Sequence, residues 1–191
     1  MFNEEFIRPY YLEKLNSKEL QEIQEYIFDL KDSDFVHNQI EFTDNHTNEE
    51  FDNYRSCEIH HPRSNSVLFR VGKKFFQDIN KRFYRYDLKN ICEFQLIKYY
   101  EGGNYNWHCD YGISPKRGVV RKLSMSIQLT NPDEYEGGEL QIVDYSNHTI
   151  NAPTDLGTVI VFDSKIPHKV WPVTFGKRIA LVGWVSGPRL R

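Results

Sequence analysis

The sequence has few cysteines and no long apolar run, and each shortage excludes a class of protein. Its three cysteines, Cys57, Cys92 and Cys109, form no CxxC pair, and their odd number argues against a framework of disulfide bonds. No apolar run approaches the roughly 20 residues that a membrane-spanning helix needs. The first residues are acidic where a secretory signal would be basic and then apolar. These features predict a cytoplasmic protein with no membrane partner.

A strong charge of one sign is also missing. The formal net charge is -3 over 191 residues, so we expect no broad attraction to phosphate or anionic lipid, and no nucleic-acid partner. The chain is instead rich in aromatic residues, at 15%, and 39% of its residues are hydrophobic. This is enough material for a buried core, and the length suits one core. We therefore expect a single domain over residues 1–191.

Two stretches of the first half have helical patterns. Asn16 and Glu19 are placed as a capping box ahead of apolar residues at helical spacing, which predicts a helix near residues 17–31. A stripe of aromatic residues after Gly72 predicts a second helix near residues 72–86. An amphipathic helix needs such a stripe in order to dock, so we interpret both as packing faces.

From residue 91 onward the chain changes to short β-type runs separated by Gly, Pro and Asn. Strands at this spacing, with no helical pattern between them, predict an antiparallel sandwich or barrel over residues 91–186. Residues 1–90 then form a supporting region of helices and strands. The predicted strands lie in ICEFQLIKYY, YNWHCDY, RKLSMSIQLT, GELQIVDY, GTVIVFD, HKVWPV and KRIALVGWV.

Two of these runs carry polar residues at telling positions. In RKLSMSIQLT, Ser124, Ser126 and Gln128 alternate with apolar residues, and this run alone predicts a polar face toward solvent. In the last run both faces are largely apolar, which indicates a strand buried on both sides with Arg178 and Trp184 on the same face. A buried guanidinium needs a partner, so we expect Arg178 to meet either a carboxylate of the protein or an anionic ligand.

A candidate metal site is present in WHCDY. Residues two apart in a strand point the same way, so His108 and Asp110 can face one cation while Cys109 points away. A third ligand must come from elsewhere, and His168 is the histidine that begins a late predicted strand. Two histidines and one carboxylate suit Fe(II) in oxygenases, because three coordination positions stay open. A structural zinc site would normally have four ligands, so iron is favoured.

These spaced residues resemble the 2-oxoglutarate and Fe(II)-dependent dioxygenases, and within them the prolyl 4-hydroxylase-like branch, over roughly half of the chain. That family carries an HxD pair, a distal histidine and then a basic residue. Here these are His108, Asp110, His168 and, ten positions further on, Arg178. The resemblance implies that the first three hold Fe(II) and that Arg178 binds the far carboxylate of 2-oxoglutarate, all four being catalytic.

The resemblance also implies roles for residues around this set. The tyrosines that precede the first ligand in the family are matched by Tyr99 and Tyr105, and Tyr99 is expected to help bind the cosubstrate. The resemblance implies that Ser124, Ser126 and Gln128 line the barrel interior, and that Ser124, Gln128 and Trp184, which stands near the iron, help to bind the cosubstrate. The chain departs from some relatives that have a tyrosine hydroxyl near the position of Gln128. Gly137 and Gly138 match the glycine pair of a turn in the family.

The implied fold is a double-stranded β-helix (jelly-roll, cupin-like) core packed against N-terminal helices. The implied reaction uses O₂ and 2-oxoglutarate, releases succinate and CO₂, and hydroxylates a C–H bond, with ascorbate as a further cofactor suggested by the family. We expect the substrate to be a prolyl residue of a peptide or protein. A basic loop at 111–122 is a candidate cover for an extended peptide, although a solvated turn is the simpler interpretation. Its basic residues are Lys116, Arg117, Arg121 and Lys122.

Other functions stay open at this point. Relatives with similar motifs hydroxylate lysyl residues or free amino acids. A cupin-type metalloenzyme that works without 2-oxoglutarate would normally carry HxH and would have no need of Arg178. A non-catalytic β-sandwich binding module would leave the whole set of ligands unexplained.

Overall fold

The computed structural model describes residues 9–40, 54–89, 91–114 and 118–189 of the chain. Antiparallel strands make up most of the described structure, and two α-helices lie in its N-terminal half. The predicted class, mainly β with supporting helices, is confirmed.

The first helix, α1 (Ser17–Phe28), begins with the predicted capping box. The side-chain oxygen of Asn16 accepts a hydrogen bond from the backbone N–H of Glu19 at 2.9 Å, and the Glu19 carboxylate accepts one from the backbone N–H of Asn16 at 3.1 Å. The predicted end at residue 31 was wrong. The backbone N–H of Lys31 donates to the Asp34 carboxylate at 2.8 Å, which begins a separate 3-10 turn.

The second helix, α2 (Val67–Ile79), begins earlier than expected, so the predicted start at residue 72 was wrong. The hydroxyl of Ser66 caps the helix by accepting a hydrogen bond from the backbone N–H of Phe69 at 3.3 Å. Gly72 lies inside this helix. A larger residue would not fit there, because a Cβ atom would lie 2.3 Å from the ring of Phe94. The glycine thus serves close packing and does not mark a helix boundary.

The far end of α2 also differs from the prediction. The helical face is buried as expected up to Ile79, and a π-helical turn follows at Asn80–Tyr84. A π turn changes the residue spacing, so the 3.6-residue stripe does not continue through it. Phe83 is consequently 39% exposed and stacks on Tyr11 with ring centroids 3.9 Å apart.

The strands alternate with short turns along the rest of the chain, and each predicted run contains at least one. In chain order they are β1 Tyr10–Lys14, β2 Val36–Ile40, β3 Arg55–His60, β4 Cys92–Tyr99, β5 Asn104–His108, β6 Ile113–Ser114, β7 Val119–Gln128, β8 Tyr135–Gly137, β9 Leu140–Val143, β10 Thr149–Asn151, β11 Thr158–Asp163, β12 His168–Val170, β13 Val173–Gly176 and β14 Arg178–Pro188.

Twelve of these strands form one curled antiparallel sheet. Its order is β1-β11-β7-β14-β4-β3-β5-β12-β9-β10, with β2 paired to β3 and β6 paired to β7. Strands β8 and β13 form a separate pair. The non-sequential order is that of the expected double-stranded β-helix, or jelly roll, which is confirmed.

Two apolar clusters lie on opposite faces of the curled sheet. Strand β11 contributes to both, with Val159 and Val161 on the helix side and Ile160 and Phe162 inside the curl. Helix α2 packs against β4, β7 and β14 and covers the first cluster. The second cluster surrounds the space in which a ligand can be enclosed.

The polar face of β7 lies inside the curl and not toward solvent, so the interpretation of that run alone was wrong. Ser124, Ser126 and Gln128 are all buried, while the apolar residues between them join the helix-side cluster. Strand β14 is buried on both faces, as predicted, and Arg178 is 2% exposed. The first three strands belong to the same sheet as the later ones. The division into a supporting region and a core within one domain stays a prediction.

Candidate metal centre and the surrounding cavity

Strands β5 and β12 bring the three predicted metal ligands together. The two strands are antiparallel neighbours, and His168 lies directly opposite His108. Asp110 follows β5 instead of lying within it, and its carboxylate reaches both imidazoles. Its Oδ1 lies 3.7 Å from Nε2 of His108, and its Oδ2 lies 3.3 Å from Nε2 of His168. The three ligand atoms lie within 4.8 Å of one another and could hold one metal ion.

Backbone carbonyls orient both imidazole rings. Nδ1 of His108 lies 2.8 Å from the carbonyl oxygen of Asn106, and Nδ1 of His168 lies 2.9 Å from that of Ile166. A carbonyl oxygen only accepts, so each Nδ1 carries a proton, and each Nε2 is turned toward Asp110, where it could ligate a metal. Burial, aided by the neighbouring His168, lowers the pKa of His108 to about 4. His108 is therefore neutral near pH 7, as a metal ligand must be.

The Asp110 carboxylate is held by hydrogen bonds from the barrel interior. The hydroxyl of Ser124 donates to its Oδ2 at 2.8 Å, and the hydroxyl oxygens of Ser124 and Ser164 lie 2.9 Å apart. Burial alone would raise the pKa of Asp110, but hydrogen bonding and charge from His168, then His108 and Trp184, hold it well below its usual range. Asp110 is an anion at neutral pH. Ser164 escaped the sequence analysis because it belongs to no recognisable motif.

Aromatic rings flank the first histidine. The ring of Tyr105 stacks on that of His108, with centroids 3.5 Å apart and an angle of 14° between the planes. Burial raises the pKa of Tyr105 to about 12, so its phenol is neutral. Cys109 points away from the cluster, as expected, with its sulfur 3.2 Å from the backbone carbonyl oxygen of Lys165.

Arg178 lies in the same cavity, and its side-chain contacts in the described residues are with the neutral side chains of Gln128 and Tyr99. Its Nη2 donates to the side-chain oxygen of Gln128 at 2.9 Å, and its guanidinium carbon lies 5.5 Å from the ring centroid of Tyr99. Within the described ranges, no carboxylate lies at ion-pair distance from it. Of the two partners expected for Arg178, an anionic ligand is therefore the one that this environment favours.

The cavity gathers most of the predicted residues around the metal ligands. Ser124 and Gln128 do not line it; their side chains act on Asp110 and Arg178 instead. Its polar and aromatic lining consists of Arg55, Tyr99, Tyr105, His108, Asp110, Ser126, Phe162, His168, Arg178 and Trp184, and its aliphatic lining of Ile97, Met125, Leu140, Val170 and Val182. Such a mixture, mainly apolar with a few convergent polar groups, is typical of a small-ligand site.

The predicted glycine pair lies directly beside Arg178. Gly137 and Gly138 have φ values of 72° and 66°, which L-residues rarely adopt. A Cβ atom on Gly138 would lie 3.1 Å from Cδ of Arg178 and 2.9 Å from a methyl carbon of Val173. The pair therefore lets the turn before β9 approach the arginine closely.

The basic loop predicted at 111–122 is only partly a loop. Lys116 and Arg117 lie outside the described residues. Arg121 and Lys122 belong to β7, so the assignment of these two residues to a covering loop was wrong. The run of alternating residues in β7 simply begins earlier than the sequence suggested. The guanidinium of Arg121 lies 4.0 Å from the ring centroid of Trp184.

The fold and the cluster define a jelly-roll protein with a candidate two-histidine, one-carboxylate metal site. Residues 94–186 match the model of the 2OG-Fe(II) oxygenase superfamily. This match, over just under half of the chain, confirms the resemblance that the motifs predicted. Among the described residues, no helix has the length and apolar character to cross a bilayer.

Curated relatives match about half of the chain. A PKHD-type hydroxylase from Aliarcobacter butzleri is 37% identical over 103 residues, which is 51% of this chain and 45% of that protein. A PKHD-type hydroxylase from Cupriavidus metallidurans is 41% identical over 98 residues, or 48% of this chain and 42% of that protein. The chain thus spans less than half the length of these relatives.

Solved structures resemble the fold over nearly the whole chain. A prolyl-4-hydroxylase from Pseudomonas putida has a TM-score of 0.70 and 18% identity, with 96% of each chain covered. A Trichoplax adhaerens prolyl hydroxylase, solved with a peptide fragment of the hypoxia inducible factor oxygen degradation domain, has a TM-score of 0.71 and 18% identity, with 96% of this chain and 86% of that chain covered. At this identity the likeness concerns the fold.

Proposed function

We propose that this protein is a 2-oxoglutarate- and Fe(II)-dependent dioxygenase that hydroxylates a C–H bond. One observation supports this most directly: His108, Asp110 and His168 converge in the same cavity as Arg178, a buried cation without a carboxylate partner among the described residues. In a metalloenzyme that bound no anionic cosubstrate, this buried guanidinium would lack a charged partner among the described residues.

The donor set fits Fe(II). Two imidazoles and one carboxylate would leave open positions on the metal, which a four-ligand structural zinc site would not. When bound, Fe(II) and 2-oxoglutarate supply the oxidising chemistry that consumes O₂ and releases succinate and CO₂. The roles assigned to His108, Asp110 and His168 as ligands are part of this proposal, and so is ascorbate as an additional cofactor.

The cavity residues orient the cosubstrate and keep water out. The guanidinium of Arg178 offers charge-assisted hydrogen bonds to the far carboxylate of 2-oxoglutarate, and Gln128 fixes that guanidinium in place. Tyr99 is buried beside it, and burial raises the pKa of Tyr99 well above its usual range, so its hydroxyl remains a neutral donor. Trp184, which lines the same cavity, helps to keep the pKa of Asp110 low through a hydrogen bond. Ser124 and Gln128 serve as positioning residues in this scheme.

For the substrate, we propose a prolyl residue of a peptide or protein. The names of the PKHD-type hydroxylases and of the two prolyl hydroxylase structures support this choice, and one of those structures contains a peptide. A lysyl residue or a free amino acid is the alternative. A cytoplasmic location and the lack of a nucleic-acid partner stay predictions.

The cosubstrate assignment can be tested spectroscopically. Anaerobic addition of Fe(II) and 2-oxoglutarate should produce a weak visible metal-to-ligand absorption band, and admission of O₂ should yield succinate. The matched control omits 2-oxoglutarate and should show neither. Absence of the band at saturating concentrations of both would refute the assignment.

The substrate assignment needs a separate experiment. Proline-containing peptides and free proline are supplied with Fe(II), 2-oxoglutarate and ¹⁸O₂, and mass spectrometry locates any oxygen atom gained. Oxygen gained on a peptide supports the proposal. Oxygen gained only on the free amino acid would contradict the peptide assignment and leave the dioxygenase assignment intact.

A further inference from the structure

A second buried guanidinium lines the cavity, and the proposed reaction does not use it. Arg55 is the first residue of β3 and is 7% exposed. It lies opposite Tyr105 in the pairing of β3 with β5, and its guanidinium carbon is 4.6 Å from the centroid of the Tyr105 ring. That ring stacks in turn on His108. Arg55 therefore approaches the metal ligands along the β5 side of the cavity.

The hydrogen-bond partners of Arg55 are neutral. Its Nε lies 3.3 Å from the sulfur of Cys57, and its Nη2 donates to the side-chain oxygen of Gln95 at 3.1 Å. Burial raises the pKa of Cys57, so its thiol does not supply a negative charge. No carboxylate of the described ranges forms an ion pair with Arg55. A buried guanidinium in such surroundings is well placed to receive an anion.

The charges of the loaded cavity point to an anion in addition to 2-oxoglutarate. Fe(II), Arg55 and Arg178 would together carry four positive charges, and Asp110 supplies one negative charge. Tyr99 stays neutral because burial raises its pKa. The dianion of 2-oxoglutarate would leave one positive charge uncompensated. Under the proposed function, one of its carboxylates would bind at the metal ligands and the other at Arg178.

The two arginines also reach the cavity from different strands. Arg178 is paired in register with Tyr99 on β4, whereas Arg55 is paired with Tyr105 on β5. The rings that they contact are therefore different, and only the ring beside Arg55 stacks on a proposed metal ligand. This arrangement gives the cavity one cationic position for the cosubstrate and a second one beside the ring that stacks on His108.

We propose that Arg55 binds a carboxylate of the primary substrate, so that the oxidised carbon lies close to an acidic group. This inference rests on the proposed dioxygenase function. The carboxylate has two sources, the α-carboxylate of a free amino acid or an acidic group of a peptide next to the target residue. The guanidinium forms a charge-assisted, bidentate contact with either one.

Paired probes that differ only in this charge test the proposal. One pair is L-proline and L-prolinamide. The other is an acetylated and amidated peptide with glutamate beside proline, and its glutamine counterpart. Binding is read from the change that each probe causes in the anaerobic visible band, and turnover from ¹⁸O incorporation. Preference in the first pair identifies a free amino acid, and preference in the second identifies an acidic peptide.

In the wild-type protein, the acidic member of at least one pair should bind at least about tenfold more tightly than its amide. Arg55→Met should abolish most of this preference, and the KM for 2-oxoglutarate should change little. Lys98→Met is the matched control, because Lys98 is a buried cation on β4 that contacts Phe35 and Asp32 outside the cavity. It should keep the preference.

Three results would overturn the inference. The first is equal binding of the charged and neutral probes by the wild-type protein, or no binding of either acidic probe. The second is a preference that survives Arg55→Met. The third is a large rise in the KM for 2-oxoglutarate in that variant, which would assign Arg55 to the cosubstrate. Failure of the proposed function is distinguishable, because the visible band would then be absent before any probe is added.

Discussion

Replacement of Arg178 by methionine tests the link between the buried cation and the cosubstrate. Methionine keeps an unbranched side chain in the buried site but removes every hydrogen-bond donor. A hydrogen bond to a charged group contributes about 1.5–3 kcal/mol, which corresponds to a loss of affinity of about 10- to 150-fold. We therefore expect the KM for 2-oxoglutarate to rise by at least that factor in Arg178→Met, with Fe(II) affinity nearly intact.

The structure predicts a cost in stability as well. Gln128 donates nothing to Arg178 and only accepts its hydrogen bond, at 2.9 Å. Without that donor the buried carbonyl of Gln128 lacks a partner, which costs about 1–3 kcal/mol. Urea unfolding measures this loss separately from the kinetics. Arg178→Lys should recover part of both effects, because a lysine retains a positive charge and donors.

A matched pair of cosubstrates isolates the carboxylate contact. 2-Oxopentanoate has a methyl group where 2-oxoglutarate has its far carboxylate. The wild-type protein should prefer 2-oxoglutarate strongly, and Arg178→Met should lose most of that preference. Lys177→Met is the control, because Lys177 is an exposed cation one residue away and does not line the cavity. An unchanged KM for 2-oxoglutarate in Arg178→Met would refute the reasoning.

Three further predictions concern the ligands and the packing. Alanine at His108, Asp110 or His168 should lower succinate formation at least about a hundredfold; if all three variants bound Fe(II) normally in a titration, the ligand assignment would be wrong. Ser124→Ala removes the hydroxyl that donates to Asp110, and it should weaken Fe(II) binding by about 10- to 100-fold. Ser126→Ala, on the same face of β7, is the control and should have a much smaller effect. Equal effects of the two changes on Fe(II) binding would contradict the positioning role of Ser124. Gly72→Ala places a Cβ atom 2.3 Å from the ring of Phe94 and should lower the free energy of unfolding by about 1–3 kcal/mol. Because Phe94→Leu removes the obstructing ring, the double variant should lose less stability than the two separate changes added together in urea unfolding, and strict additivity would count against the clash.

The sequence was most informative where a regular pattern repeats. The alternation in RKLSMSIQLT and KRIALVGWV predicted two central strands, and the capping box predicted where α1 begins. These features depend on neighbours a few residues apart in the chain. The motif residues His108, Asp110 and His168 were brought together as expected, because two antiparallel strands place the histidines opposite each other and Asp110 follows two residues after His108.

The features that were missed depend on contacts between distant segments. The start of α2 was misplaced because Gly72 looks like a helix boundary until the ring of Phe94 is known to lie against it. Arg55 was not recognised as a cavity residue, although its signal was present. In RSCEIH, Cys57 and Ile59 alternate as buried residues, and the same period places Arg55 on the buried face. The neighbours that make this burial significant lie on β4 and β5.

The two faces of β14 also constrain how the chain can fold. Its cavity face carries Arg178, whereas its other face, including Ile179 and Leu181, packs in the helix-side cluster. Because side chains alternate with a period of two, a slip of one residue against β4 or β7 would exchange these faces. The guanidinium of Arg178 would then lie in the apolar helix-side cluster beneath α2, and an aliphatic side chain would take its place in the cavity. The residue proposed to bind the cosubstrate thus also helps to fix the strand register, because misaligned pairing of the central strand is energetically unfavourable during folding.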